Sequence, residues 1–306
     1  MAATVRGIGE VGLIERIRHR VEHARAGGGV LVGIGDDAAV LRVRGGDDLL
    51  FACDMLVEGT HFTRTRLTAE QIGWKALACN VSDIAAMGGE PRWAVVSVGL
   101  PRATPVAFAD GLARGLRRCA NRFKVQIVGG DTTRAPQAVI DIAILGTVPR
   151  NRVILRRGAR VGDDLFVTGR LGGSYRSGRH ARFIPRVREA QTLTRRTRLR
   201  AMMDLSDGLA SDAWQLSRAS RVVWRLEAAR IPIARDAAGL AGALYDGEDF
   251  ELLFAVGSRD ARRVPRRLGA CPVTRIGRAV RRGIGVELMD ARGRVQVLRP
   301  RGFRHF

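Results

Sequence analysis

Twelve of the 30 acidic residues in this 306-residue chain crowd into six short segments. They are GIGDDAAVL (Asp36, Asp37), DMLVEGTHF (Asp54, Glu58), NVSDIAAMG (Asp83), GGDTTR (Asp131), MMDLSDGLASD (Asp204, Asp207, Asp212) and GEDFELLF (Glu248, Asp249, Glu251). Most of these acids sit beside glycine or where an apolar run gives way to a loop. Singly, each has a local reading: Asp36-Asp37 as a turn, Asp83 as a helix-face acid, Asp204 to Asp212 as helix caps. Together they repel one another unless cations lie among them. Magnesium with a polyphosphate is the economical partner, because Mg²⁺ takes oxygen ligands and bridges carboxylate to phosphate.

The apolar pattern places these segments on a mixed set of elements. Val11, Ile14, Ile17 and Val21 share one helical face over residues 10–24. AVLRV and LLFAC flank RGGDD and read as a hairpin. A helix is predicted over Ala69 to Met87, a strand over 93–100, and a helix from Thr104-Pro105 to about Ala120. KVQIV and AVIDIAILGTV are predicted strands, with GGDTTR at the end of the first. In the second half, DLFVTG, VVWRLE, DFELLFAV and VTRIGRAV read as strands, with helices over Ser206 to Ser220 and 258–268. Strands and helices intermix without a regular strand-helix-strand metre, which predicts α/β and α+β folding with mixed sheets. Pro149 and the arginines after it suggest a boundary, giving domains of residues 1–150 and 151–306.

Several chemistries are excluded by absence. There is no P-loop signature, no protein-kinase set and no nucleophile elbow. The four cysteines form no C-x-x-C pair, and the five histidines show no zinc spacing. No apolar run nears the ~20 residues of a membrane span, and the first residues lack a signal-peptide core, so a cytoplasmic protein is expected. The net charge of +22 raises the question of nucleic acid. The surplus is almost all arginine, with Lys75 and Lys124 the only lysines, and no aromatic-interleaved pattern accompanies it. No specific nucleic-acid partner is expected. Phosphoryl transfer remains, since it needs positioning and charge neutralisation rather than a Ser-His or Cys-His pair.

In their order, GIGDDAAVL, DMLVEGTHF, KALACNVSDIAAMGGEP, GGDTTR, DLSDGLASD and GEDFELLF closely resemble the thiamine-monophosphate kinase family. That family belongs to the aminoimidazole-ribonucleotide synthetase superfamily of ATP-binding proteins. The resemblance runs from about residue 8 to the closing GFRHF. It implies a two-domain architecture that dimerises through the N-terminal sheet, with sites in the cleft between domains. The implied reaction moves the γ-phosphoryl group of ATP onto thiamine monophosphate. By motif, Asp37, Asp54, Asp83, Asp131, Asp204 and Asp207 are the implied magnesium ligands. Gly130, Asp131, Arg156 and Ser206 are the implied nucleotide contacts, and His61, Glu248 and Phe303 the substrate contacts. Two departures stand out. Ala52-Cys53 replaces the usual Ser-Thr before Asp54, and a helix-length piece is missing after VTGRLGGS.

Overall fold

The computed structural model describes residues 5–21, 29–43 and 46–303. Its first sheet has six strands: β1 (Val30–Val32), β2 (Ala39–Arg42), β3 (Asp48–Val57), β4 (Glu90–Leu100), β5 (Gln126–Arg134) and β6 (Val139–Val148). They lie in the order β1-β2-β3-β6-β4-β5. The expected hairpin is present as the antiparallel pair β2–β3. β4 and β5 run parallel, so a crossover must join them, and helix α3 (Val106–Phe123) supplies it.

Helix α2 (Ala69–Ala86) is the spine of the molecule. Thr68 and Gln71 cap it reciprocally: the Thr68 hydroxyl accepts from the Gln71 N–H at 3.2 Å, and the Gln71 side chain accepts from the Thr68 N–H at 2.9 Å. It is apolar almost all round and nearly wholly buried, as befits a helix packed on every side. Close packing against α3 depends on two glycines. A β-carbon at Gly115 would lie 2.0 Å from the Glu70 carbonyl oxygen, and one at Gly73 2.2 Å from that of Leu112.

The second sheet carries β7 (Asp164–Thr168), β8 (Leu199–Asp204), β9 (Val222–Glu227), β10 (Leu252–Val256), β11 (Arg267–Leu268), β12 (Cys271–Arg282), β13 (Gly285–Met289) and β14 (Val295–Val297). Its order is β14-β13-β9-β12-β7-β10-β8, with β11 paired to β12. Side-chain alternation feeds two cores. Phe166, Met202 and Phe254 pack toward the core shared with α2 and with α4 (Val187–Arg196). Leu165, Val167, Met203 and Leu253 pack toward α5 (Leu209–Ser220) and α6 (Gly239–Tyr245). Mixed sheets packed with helices is the class the sequence pattern predicts.

Three local expectations are corrected. The helix near the N-terminus is α1 (Val5–Val21), but Val11, Ile14 and Ile17 are exposed rather than packed on a core; Val21 lies outside the residues whose side chains are described. Residues 258–268 form a single 3₁₀ turn, Ala261–Arg263, and strand β11, because Pro265 and two arginine pairs leave no apolar helical face. GGDTTR does not follow a strand but lies inside β5. The segment after VTGRLGGS, read only as shortened, folds as turns, a 3₁₀ turn and α4. No described helix is long and apolar enough to cross a membrane.

Candidate active site

Three of the sequence-predicted carboxylates converge from distant parts of the chain. Asp37 lies in the turn before β2, Asp83 near the end of α2, and Asp204 at the end of β8. One oxygen from each lies within 4.8 Å of the others. α2 brings them together because it packs on both sheets. The Ser82 hydroxyl donates to Asp204 at 2.5 Å, tying the helix to β8. The Asp54 N–H donates to the Asn80 side chain at 3.1 Å, tying β3 to the same helix.

The cluster is electrostatically frustrated. Burial, then the charges of Asp54 and Asp204, push the Asp83 carboxyl well above the usual range. Burial, then Asp37, raises Asp204 to about 7. Burial, then Asp37, raises Asp36 to about 6. Arg156 partly offsets this charge. Its Nε and one terminal nitrogen donate to Asp37 Oδ1 at 3.1 and 2.5 Å, and its other terminal nitrogen donates to Gln215 at 2.8 Å. The second oxygen of Asp37 is buried with no hydrogen-bond partner. A divalent cation suits this donor set: it would satisfy that oxygen and relieve the repulsion in one step.

Asp207 and Ser206 follow Asp204 at once. The Ser206 hydroxyl donates to Asp207 at 3.3 Å, and Gln215 donates to the other Asp207 oxygen at 3.4 Å. Gln215 therefore connects Arg156 to Asp207. The Ser206 carbonyl accepts from the Glu248 N–H at 2.6 Å, and the Asp207 carbonyl accepts from the Phe303 N–H at 3.2 Å. Two of the three predicted substrate residues, Glu248 and Phe303, are thus hung from the loop that follows the strand end bearing Asp204. His61 and Phe303 approach with ring centroids 6.1 Å apart, and His61 Nδ1 accepts from the Val57 N–H at 3.0 Å. Lys75 of α2 links His61 to Glu248: its ammonium donates to the His61 carbonyl at 2.8 Å and ion-pairs with the Glu248 carboxylate.

Asp131 stands elsewhere. Asp54, Ile142, Val96 and Gly130 pair across β3, β6, β4 and β5 and share the helix-covered face. The next row, Met55, Asp141, Ser97 and Asp131, shares the opposite face. Val128 is an extra residue between the pairs Ala94–Ile127 and Val95–Gly129. That bulge turns Asp131 to the open side of the sheet. Asp131 is exposed and accepts from its neighbour's N–H, that of Thr132, at 2.8 Å. Gly130 is required for a reason not read from sequence: a β-carbon there would lie 1.8 Å from the Val96 carbonyl oxygen. The Ala52-Cys53 departure is split between faces, Ala52 in the core and Cys53 on the open side, where its thiol donates to Asp141 at 3.3 Å.

Sequence reasoning missed Lys75, Asn80, Ser82 and Gln215. Lys75 had a signal, being the one basic residue of a largely apolar helix. Ser82 adjoins Asp83 and was also within reach. Gln215 carried none.

Residues 35–148 match the N-terminal domain of AIR synthase related proteins. The thiamine-monophosphate kinase of Rhodopirellula baltica is 38% identical over 293 residues, covering 90% of this chain and 92% of that protein. The chain belongs to the thiamine-monophosphate kinase family. It is therefore an ATP-dependent phosphotransferase with a fold of the AIR synthase type. The solved structure of AaThiL complexed with AMPPCP and TMP, 30% identical, superposes with a TM-score of 0.86 over the whole of both chains. The thiamine-monophosphate kinase structure from Stenotrophomonas maltophilia, 33% identical, gives 0.71 over 90% of this chain and 95% of that one. The match covers at least 95% of each of these solved chains, so this chain carries their whole architecture.

Proposed function

We propose that this kinase transfers the γ-phosphoryl group of ATP to the phosphate of thiamine monophosphate in a magnesium-dependent reaction. One observation carries the reading. α2 presents the Asp37–Asp83–Asp204 trio near one end and Lys75, with Glu248 and His61, toward the other. Eight residues of helix separate Lys75 from Asp83, a span of about 12 Å. A ligand with a phosphate at one end and a ring at the other suits that span.

Magnesium, when bound, would neutralise charge on the transferring phosphoryl group; Asp37, Asp83, Asp204, Asp54 and Asp207 would hold it. Arg156 and Ser206 would orient the nucleotide. No side-chain base is required, because a phosphomonoester has its second pKa near ~6 and is largely ionised at neutral pH. Glu248 would offset the positive charge of the thiazolium, with the His61 and Phe303 rings beside it.

A homodimer through the first sheet is part of the proposal. Phe51, Met55, Trp93 and Val95 expose an apolar surface on the face opposite α2, with Met55 52% exposed. Asp131 shares that face, so together with Gly130 it would meet nucleotide held at the assembled interface. The proposed domains are residues 1–150 and 151–306, and the proposed compartment is the cytoplasm.

The test is ADP release coupled to thiamine monophosphate, with and without Mg²⁺, against other phosphorylated acceptors. Magnesium-dependent turnover specific to thiamine monophosphate is expected. Equal turnover with an unrelated phosphomonoester would overturn the substrate assignment.

A further inference from the structure

Lys75 is the only lysine or arginine that is fully buried among the described residues, at 1% exposure. A buried ammonium is expensive to desolvate, and a buried ion pair is poor support for stability when an apolar side chain would fill the space. Its retention inside an apolar helix therefore calls for a task. Two of its three donors are accounted for, one by the His61 carbonyl at 2.8 Å and one by Glu248 Oε1. Both acceptors belong to residues of the substrate end.

Glu248 is itself held under strain. Its φ is +53°, in the left-handed region that a residue with a side chain adopts at a cost. Two short hydrogen bonds fix it there: its N–H donates to the Ser206 carbonyl at 2.6 Å, and its carbonyl accepts from the Ser174 hydroxyl at 2.6 Å. Lys75 then fixes the side chain. The Glu248 side chain is 27% exposed, so the carboxylate is gripped from the core and open toward solvent. The neighbouring His180 is buried, and burial first and the Lys75 charge second lower its pKa.

We propose that Lys75 is the positioning residue for acceptor specificity: by engaging Oε1 and the His61 carbonyl together, it presents the second carboxylate oxygen of Glu248 to a cationic, amine-bearing ring. This deepens the reading above and rests on Glu248 lying in the substrate site. Lys75 itself touches no reacting atom. Its loss should weaken acceptor binding while leaving the nucleotide end, about 12 Å along the helix, undisturbed.

The experiment compares Lys75→Met, Glu248→Gln and the double variant in the full chain. Each is measured for KM and kcat with thiamine monophosphate and for Mg-ATP affinity by calorimetry. Lys75→Met and Glu248→Gln should each raise KM about 10-fold or more, with kcat within about threefold and Mg-ATP affinity unchanged. The double variant should be no worse than Glu248→Gln alone, since the two act as one unit. An unchanged KM in Glu248→Gln overturns the substrate reading of Glu248 and this proposal with it. A raised KM in Glu248→Gln with a wild-type KM in Lys75→Met overturns this proposal alone. Should Lys75→Met fail to fold, Glu248→Gln is compared with the double variant, in which no carboxylate is left buried without its partner. Equal KM values there support the proposal, and a further rise overturns it.

Discussion

Arg156 takes a single oxygen of Asp37 with two of its nitrogens, at 2.5 and 3.1 Å, and leaves the other oxygen buried without a partner. An ion pair built for stability would engage both oxygens in the fork-to-fork geometry that arginine favours. Here half of the carboxylate is reserved, and Asp83 and Asp204 stand beside it.

That arrangement predicts a trade between stability and ligand binding at Asp204. Asp204→Asn keeps an acceptor for the Ser82 hydroxyl and removes one of the mutually repelling charges. The metal-free protein should gain on the order of 1 kcal/mol, or about 2–4 °C in Tm. Magnesium-dependent nucleotide binding should fall at least about tenfold. Thermal melts with and without Mg-ATP check both halves; a variant that is less stable without metal would show that the cluster is not frustrated.

Asp249 gives a pH dependence away from the metal cluster. Burial raises its carboxyl to about 7, outweighing the Gly172 N–H at 2.9 Å and Arg179 at 2.5 Å. Its folded pKa lies above its unfolded one, so the folded state binds the proton more tightly. Stability is therefore fully present below about pH 4, falls as pH rises toward 7, and levels off above that. The slope from one such group is at most about 1.4 kcal/mol per pH unit. Asp249→Asn should flatten the curve in this window, as read by urea denaturation between about pH 5 and 7.5.

The α2–α3 contact predicts a large effect from one methyl group. Gly115→Ala places a β-carbon 2.0 Å from the Glu70 carbonyl oxygen, against backbone that cannot swing aside. Despite alanine's better helix propensity, the variant should lose about 2–3 kcal/mol or more. A Tm at or above wild type would mean that the two helices separate readily.

The open face of the first sheet predicts an oligomer that charge can break. Met55→Arg, at 52% exposure, should fold normally and elute as a smaller species in size-exclusion chromatography. Because Asp131 shares that face, Mg-ATP affinity should fall with it. A monomeric wild type by light scattering would remove the dimer, and a dimeric variant would move the interface elsewhere.

The order of the carboxylate motifs, the spine helix α2 and the β2–β3 hairpin were legible in the sequence, because each is specified by neighbours a few residues apart. Lys75 was visible as a residue but not as a contact, since its partners His61 and Glu248 come from two other elements. The apolar stripe of α1 had the spacing of a buried face, yet it lies exposed, because periodicity shows that a face is apolar and not what covers it. Asp131 is the sharpest case. In an unbulged register it would pair with Val98 and turn toward the helices; Val128 shifts the pairing by one residue and turns it to the open face. Strand side chains alternate, so one inserted residue reverses every side chain after it. Which acids are present, and which family they mark, can be read along the chain. Which of them share a site cannot, because that depends on long-range strand pairing.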